Sequence, residues 1–155
     1  MKNNKTLDDK TVDEICEKLA TFVSDTFVLY VKTLNFHWNM KGPQFFMYHR
    51  LLEEQYKEMA KATDELSEQI RLLDRYAPGS MHEFLQKTSL KEANTLPNQN
   101  AMIKELASDH DALVEKLHGA IKFMDTVLDQ GTSDLLIERI RFHSKASWLL
   151  RSSLA

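Results

Sequence analysis

A chain of 155 residues, 43% hydrophobic and 28% charged, is long enough for one well-buried domain and has the make-up of an ordinary globular protein. A net charge of −3 gives no electrostatic reason for a nucleic-acid or acidic-lipid partner, and the single cysteine, Cys16, excludes an intrachain disulfide framework. No apolar run approaches the roughly 20 residues that cross a membrane, and the polar start MKNNKTLDDK leads into no signal-peptide core, so the expectation is a cytoplasmic protein.

Residues 1–10 read as a flexible tail and 11–155 as one domain. All three prolines and three of the four glycines fall at Gly42-Pro43, Pro78-Gly79, Pro97 and Gly131. Between these breaks apolar residues recur every three or four positions, which predicts amphipathic helices. The first spans about 10–39 with Val12, Ile15, Leu19, Phe22, Val23, Phe27, Tyr30 and Leu34; the second, about 44–73, carries Leu52, Tyr56, Met59, Leu66, Ile70 and Leu73. The stretch 74–96 is too long for a plain loop, and MHEFLQK predicts a short helix inside it. A third long helix over about 98–128, opened by Pro97, carries Ile103, Leu106, Leu113, Leu117, Ala120 and Met124. The fourth, about 132–153, opens after Gly131 on Thr132, Ser133 and Asp134 and carries Leu136, Ile140, Trp148 and Leu149. Four long helices with one long and two short connections predict an all-α, ferritin-like four-helix bundle with a short extra helix in the crossover.

His37 and His49 sit among aromatics on either side of the Gly42-Pro43 break, and His49 continues the heptad seam 49, 52, 56, 59, 63, 66, 70. One histidine on an apolar face is ordinarily a hydrogen-bonded core residue. The carboxylates alter that reading. At 100° per residue, Glu53, Asp64 and Glu68 lie about 40°, 60° and 100° around the helix from His49. Acids bordering an apolar seam repel one another unless a cation is shared, and imidazoles with carboxylates suit ferrous iron, with zinc or manganese as substitutes. The alternative is a solvated face pairing with Lys57, Lys61 or Arg71. His49 and Asp64 are about 22 Å apart along one helix, out of reach of a single metal. Two antiparallel copies about a twofold axis near residues 58 and 59 would bring each histidine end to an acidic end, making metal sites shared between subunits.

NFHWNMKGPQF, HRLLE and DELSE, with ligand spacings of 12, 4, 11 and 4, resemble the pattern of the Dps mini-ferritins; SDHDALVEKL and SDLLIERIRFHSKASWLLRS extend the similarity. The resemblance implies His37, His49 and Glu53 from one subunit and Asp64 and Glu68 from its twofold mate as ligands of a dinuclear ferroxidase site. The family often carries Asp, one methylene shorter, where Glu53 stands. Trp38 resembles a tryptophan near the iron; otherwise it packs at a helix end. The family implies a hollow dodecamer that oxidises Fe(II), preferably with hydrogen peroxide, and stores ferric mineral against oxidative damage. Asp125, Asp129 and Asp134 resemble its acidic pore, with capping and solvated charge as the alternative.

A second reading makes the protein a DNA-compacting one with iron oxidation secondary. Lys2, Lys5 and Lys10 favour it, Asp8 and Asp9 partly cancel them, and the expectation is weak or absent DNA binding. Glu115 and His118 form one E-x-x-H, where a single-bundle di-iron site needs two. His110 reads as a satisfied core histidine, His82 and His143 as structural or surface residues, and Cys16 as packing.

Overall fold

The computed structural model describes residues 7–154. Lys2, Lys5 and the rest of the tail through residue 6 lie outside the described residues. Five helices follow in order: α1 (Asp9–Asn39), α2 (Phe45–Leu72), α3 (Met81–Lys87), α4 (Gln99–Thr126) and α5 (Gln130–Ser152), with no strand among the described residues. α1 packs on α2 and α4 on α5, while α3 lies against α1. The first residue of α4, Gln99, meets Gly42 in the α1–α2 turn, and Tyr48 at the start of α2 donates to Ser153 O after α5. α2 and α4 therefore start at one end of the bundle, where α1 and α5 finish. That is ferritin-like connectivity, with the crossover carrying α3.

Four of the five helices start on a local side-chain cap. Asp8 accepts from Thr11 N at 2.7 Å, so α1 opens at Asp9, two residues inside the expected tail. Ser80 and Glu83 close a capping box on α3, and Asn98 accepts from Ala101 N at 3.0 Å on α4. α5 differs from expectation. It begins at Gln130, because the Asp129 carboxylate caps Thr132 N at 3.2 Å, and Gly131 lies inside the first turn. The break belongs instead to Leu128, at φ 60°, with Asp129 N bonding back to Met124 O and Leu128 N to Asp125 O. Asp74 (φ 60°) ends α2 by the same pair of bonds, Arg75 N to Ile70 O and Asp74 N to Arg71 O. Both are left-handed helix stops made without glycine.

The apolar stripes form two clusters. Val12, Ile15, Leu19, Leu66, Ile70, Leu117 and Leu136 fill the end near α3; Phe36, Met40, Tyr48, Leu52, Met102, Ile103 and Leu106 fill the end near the α1–α2 turn. Trp148, expected on the α5 stripe, is exposed instead; Leu150 and Ala146 take the buried positions. Buried polar groups tie the layers together. Lys32 pairs with Glu105 and Asp109 of α4 at 2.9 and 2.8 Å. Asp25 accepts from Thr88 Oγ1, Ser89 N and Ser89 Oγ, pinning the crossover to α1.

His143 is fully buried in this core. Its Nδ1 lies 2.8 Å from His110 Nδ1, across α4 and α5. His110 Nε2 is buried without a partner, so the expected satisfied histidine is only half satisfied. An orphaned lone pair costs less than an orphaned N–H, which makes His110 the donor through Nδ1. Burial drives the His110 pKa down to about 3, opposed by the Asp111 charge. Burial also takes His143 well below the usual histidine range, helped by the charges of His110 and Arg139. The unfolded chain titrates near 6.5 and so binds more protons than the folded one between there and about pH 3. This contribution is full above pH 6.5 and is lost as the pH falls, on the order of 3 kcal/mol by pH 4. Thermal unfolding followed against pH should show that loss, and His110→Leu/His143→Leu should flatten it; an equally steep double variant would place the acid sensitivity elsewhere.

Candidate metal centre

Helix ends build the centre. His37 lies in the last turn of α1 and His49 one turn into α2, and the connection 40–44 folds them onto each other. The imidazoles stack with centroids 3.7 Å apart and planes 13° from parallel. Tyr56, one heptad beyond His49, stands edge-on to His37 at 5.1 Å, and Phe45, one turn before, leans on His49 at 5.0 Å. Neither clamp was singled out from the sequence, although the i, i+4 and i, i+7 spacings from His49 are visible there.

Each ring is tied to the other's backbone. His37 Nδ1 meets His49 O at 2.8 Å, and His49 Nδ1 meets His37 O at 2.9 Å. A carbonyl oxygen only accepts, so both Nδ1 atoms carry hydrogen. In the neutral ring Nε2 is then left as the lone-pair nitrogen, the tautomer and orientation that a metal ligand requires. Each ring of the stacked pair is thus left with a lone pair at Nε2.

The acids divide. Glu53 stands one turn beyond His49, half-exposed, and Lys57 bonds it at 2.5 Å. That hydrogen bond, with the Lys57 charge and lesser help from His37 and His49, holds the Glu53 carboxyl below its usual range. Asp64 and Glu68 are exposed further along α2. Of the bases in the alternative reading, Lys57 does pair with Glu53, whereas Lys61 pairs with Glu65, and Arg71 bonds Arg75 O and lies over Tyr76, so none neutralises Asp64 or Glu68. Asp64 and Glu68 have no ion pair among the described residues. Within those residues, no group of three or more His, Cys, Asp or Glu converges as a metal site. One chain thus brings together His37 and His49 with Glu53 beside them, and leaves Asp64 and Glu68 apart.

The remaining candidates fall as follows. Trp38, next to His37, is 66% exposed, so it does not pack at the helix end within the chain. Asp129 caps α5, Asp125 accepts from Ser133 Oγ at 3.3 Å, and Asp134 is exposed. Glu115 and His118 are both exposed on α4, and His82 is exposed on α3. Cys16 is buried in the core, where desolvation pushes its thiol pKa up, away from reactivity.

Comparison with known proteins shows the family of the chain. Residues 16–155 match the model of the ferritin-like domain. The chain is 36% identical to an uncharacterised low temperature-induced protein of Nostoc, over 94% of this chain and 83% of that one. It is 33% identical to DNA protection during starvation protein 2 of Bacillus anthracis, over 91% of this chain and 97% of the relative. The chain belongs to the Dps family. A Dps protein of Vibrio cholerae, described as a member of a broad superfamily of ferritin-like diiron-carboxylate proteins, superposes with a TM-score of 0.92 at 26% identity, covering 99% of this Dps chain and 96% of its own. No helix among the described residues of this Dps chain is long and apolar enough to cross a membrane.

Proposed function

We propose that this Dps chain is a ferroxidase and iron store: it oxidises Fe(II), with hydrogen peroxide as the favoured oxidant, at sites shared across a twofold axis and keeps the ferric product inside a hollow dodecamer in the cytoplasm. His37, His49 and Glu53 of one chain face Asp64 and Glu68 of its mate in this reading. The observation that supports it is the reciprocal ring-to-carbonyl bonding, which spends both Nδ1 hydrogens on the backbone and leaves both Nε2 lone pairs free for a metal.

The chemistry follows from the donor set. Two neutral imidazoles and carboxylate oxygens suit Fe(II), and three carboxylates offset most of the charge of two ferrous ions. Oxidation hardens the metal, which shifts its preference from nitrogen to oxygen and favours passage of ferric iron away from the histidines. Two irons give one electron each, the O–O bond of peroxide takes both, and two hydroxide ions result. No single-electron cleavage occurs, so hydroxyl radical is not released. Trp38, exposed beside His37, stands ready to intercept stray oxidising equivalents. Asp125, Asp129 and Asp134 gather at the α4–α5 turn as the acidic way in for Fe(II). DNA is a weak partner at best in this reading, since each chain carries a net charge of −3.

Anaerobic loading with Fe(II) followed by peroxide, with both reactants measured, tests the reaction. About one peroxide should disappear per two irons, with no spin-trapped hydroxyl radical. Consumption of one peroxide per iron with radical release would mean that the irons react singly, against the paired site.

A further inference from the structure

The turn carrying the histidines is held from outside α1 and α2. Gly42 has φ 149°, and a Cβ there would lie 2.7 Å from both Cδ and Oε1 of Gln99. Gln99 is the first residue of α4 and is buried. Its Oε1 accepts from Gln44 N at 3.4 Å, and Gln44 is the N-cap of α2, whose own side chain caps nothing. That N–H faces the amide oxygen at the long end of hydrogen-bond range, which orients the amide with Oε1 toward the turn. The other half, Nε2, is buried with no partner. Packing alone does not explain an unpaired buried amide where an apolar side chain of similar length would fill the space. Met40, the C-cap of α1, adds an apolar anchor in the same cluster as Met102 and Ile103 of α4.

The 40–44 turn therefore sits on the first turn of α4 through one polar and one apolar contact. The histidine bonds run from each ring to the opposite backbone, so their lengths depend on the stagger between the end of α1 and the start of α2. Hydrogen bonds near 2.8 Å weaken within a few tenths of an ångström, about the slack a released turn would give. We propose that Gln99 is a positioning residue for the metal centre, setting the Gly42–Gln44 turn so that His37 and His49 lock each other's tautomer. It touches neither metal nor peroxide, and the role rests on the reading of His37 and His49 as ligands.

Metal-free, full-length protein titrated with Co(II) alone tests this, following the visible band that His37→Ala/His49→Ala removes. Gln99→Ala and Gln99→Met, the second keeping bulk without an acceptor, should weaken Co(II) about tenfold and alter the band. Both should also speed amide exchange over residues 44–49. Gln99→Glu keeps an oxygen at a point where the N-termini of α2 and α4 both favour negative charge, and should restore affinity, band and protection. Parent-like affinity and exchange in Gln99→Ala would overturn the positioning role. A band unchanged in His37→Ala/His49→Ala would instead overturn the ligand reading, and the exchange measurement still decides the role of Gln99 in holding the turn.

Discussion

Replacing His37 and His49 together by alanine is expected to slow the fast phase of Fe(II) oxidation by at least about a hundredfold. Loss of one outer-shell partner of a metal ligand already costs 10- to 100-fold, and this variant removes two ligands and their mutual support together. The fold should survive. The rings lie at helix ends, over a core of Phe36, Met40, Tyr48 and Leu52 that the substitution leaves intact. The lost ring-to-carbonyl bonds cost on the order of 1–3 kcal/mol, shared over helix ends that water can reach. Size-exclusion chromatography and circular dichroism should therefore match the parent, while stopped-flow absorbance after mixing with Fe(II) and peroxide shows only slow oxidation. Each single variant should also be slow, because removing either ring deprives the other of its stacking partner and frees one backbone carbonyl. A double variant as fast as the parent would remove these histidines from the chemistry.

The helices are legible in the sequence because their causes are local. Apolar spacing of three and four, Asn98 after Pro97, and Ser80 with Glu83 three residues on each act within a turn or two. The α4–α5 break is misplaced by sequence reasoning because glycine is its expected marker, and here Leu128 takes the left-handed conformation while Gly131 sits inside a helix. Trp148 misleads for a related reason: apolar character predicts burial within one chain and is silent about surfaces. At the site, the common direction of His49, Glu53, Asp64 and Glu68 follows from helix geometry, and so does their separation along the axis. The tautomer lock does not. It depends on how far the 40–44 turn brings two backbones together, and that distance is set in part by Gln99, which lies more than fifty residues away in sequence.

The most direct measurement asks whether two chains together make one site. A chain with His37→Ala/His49→Ala keeps its acids, and a chain with Asp64→Ala/Glu68→Ala keeps its histidines. In a homodimer of either, both sites lack one half. In a mixed dimer one site lacks both halves, and the other is whole. Co-expression of the two chains, purified through both of two different tags, should therefore recover fast Fe(II) oxidation that neither variant shows alone. Random pairing should return about a quarter of the parent's sites, since half the dimers are mixed and each holds one intact site of two. Mixed shells as slow as either variant alone would contradict a centre built from His37, His49 and Glu53 of one chain and Asp64 and Glu68 of another.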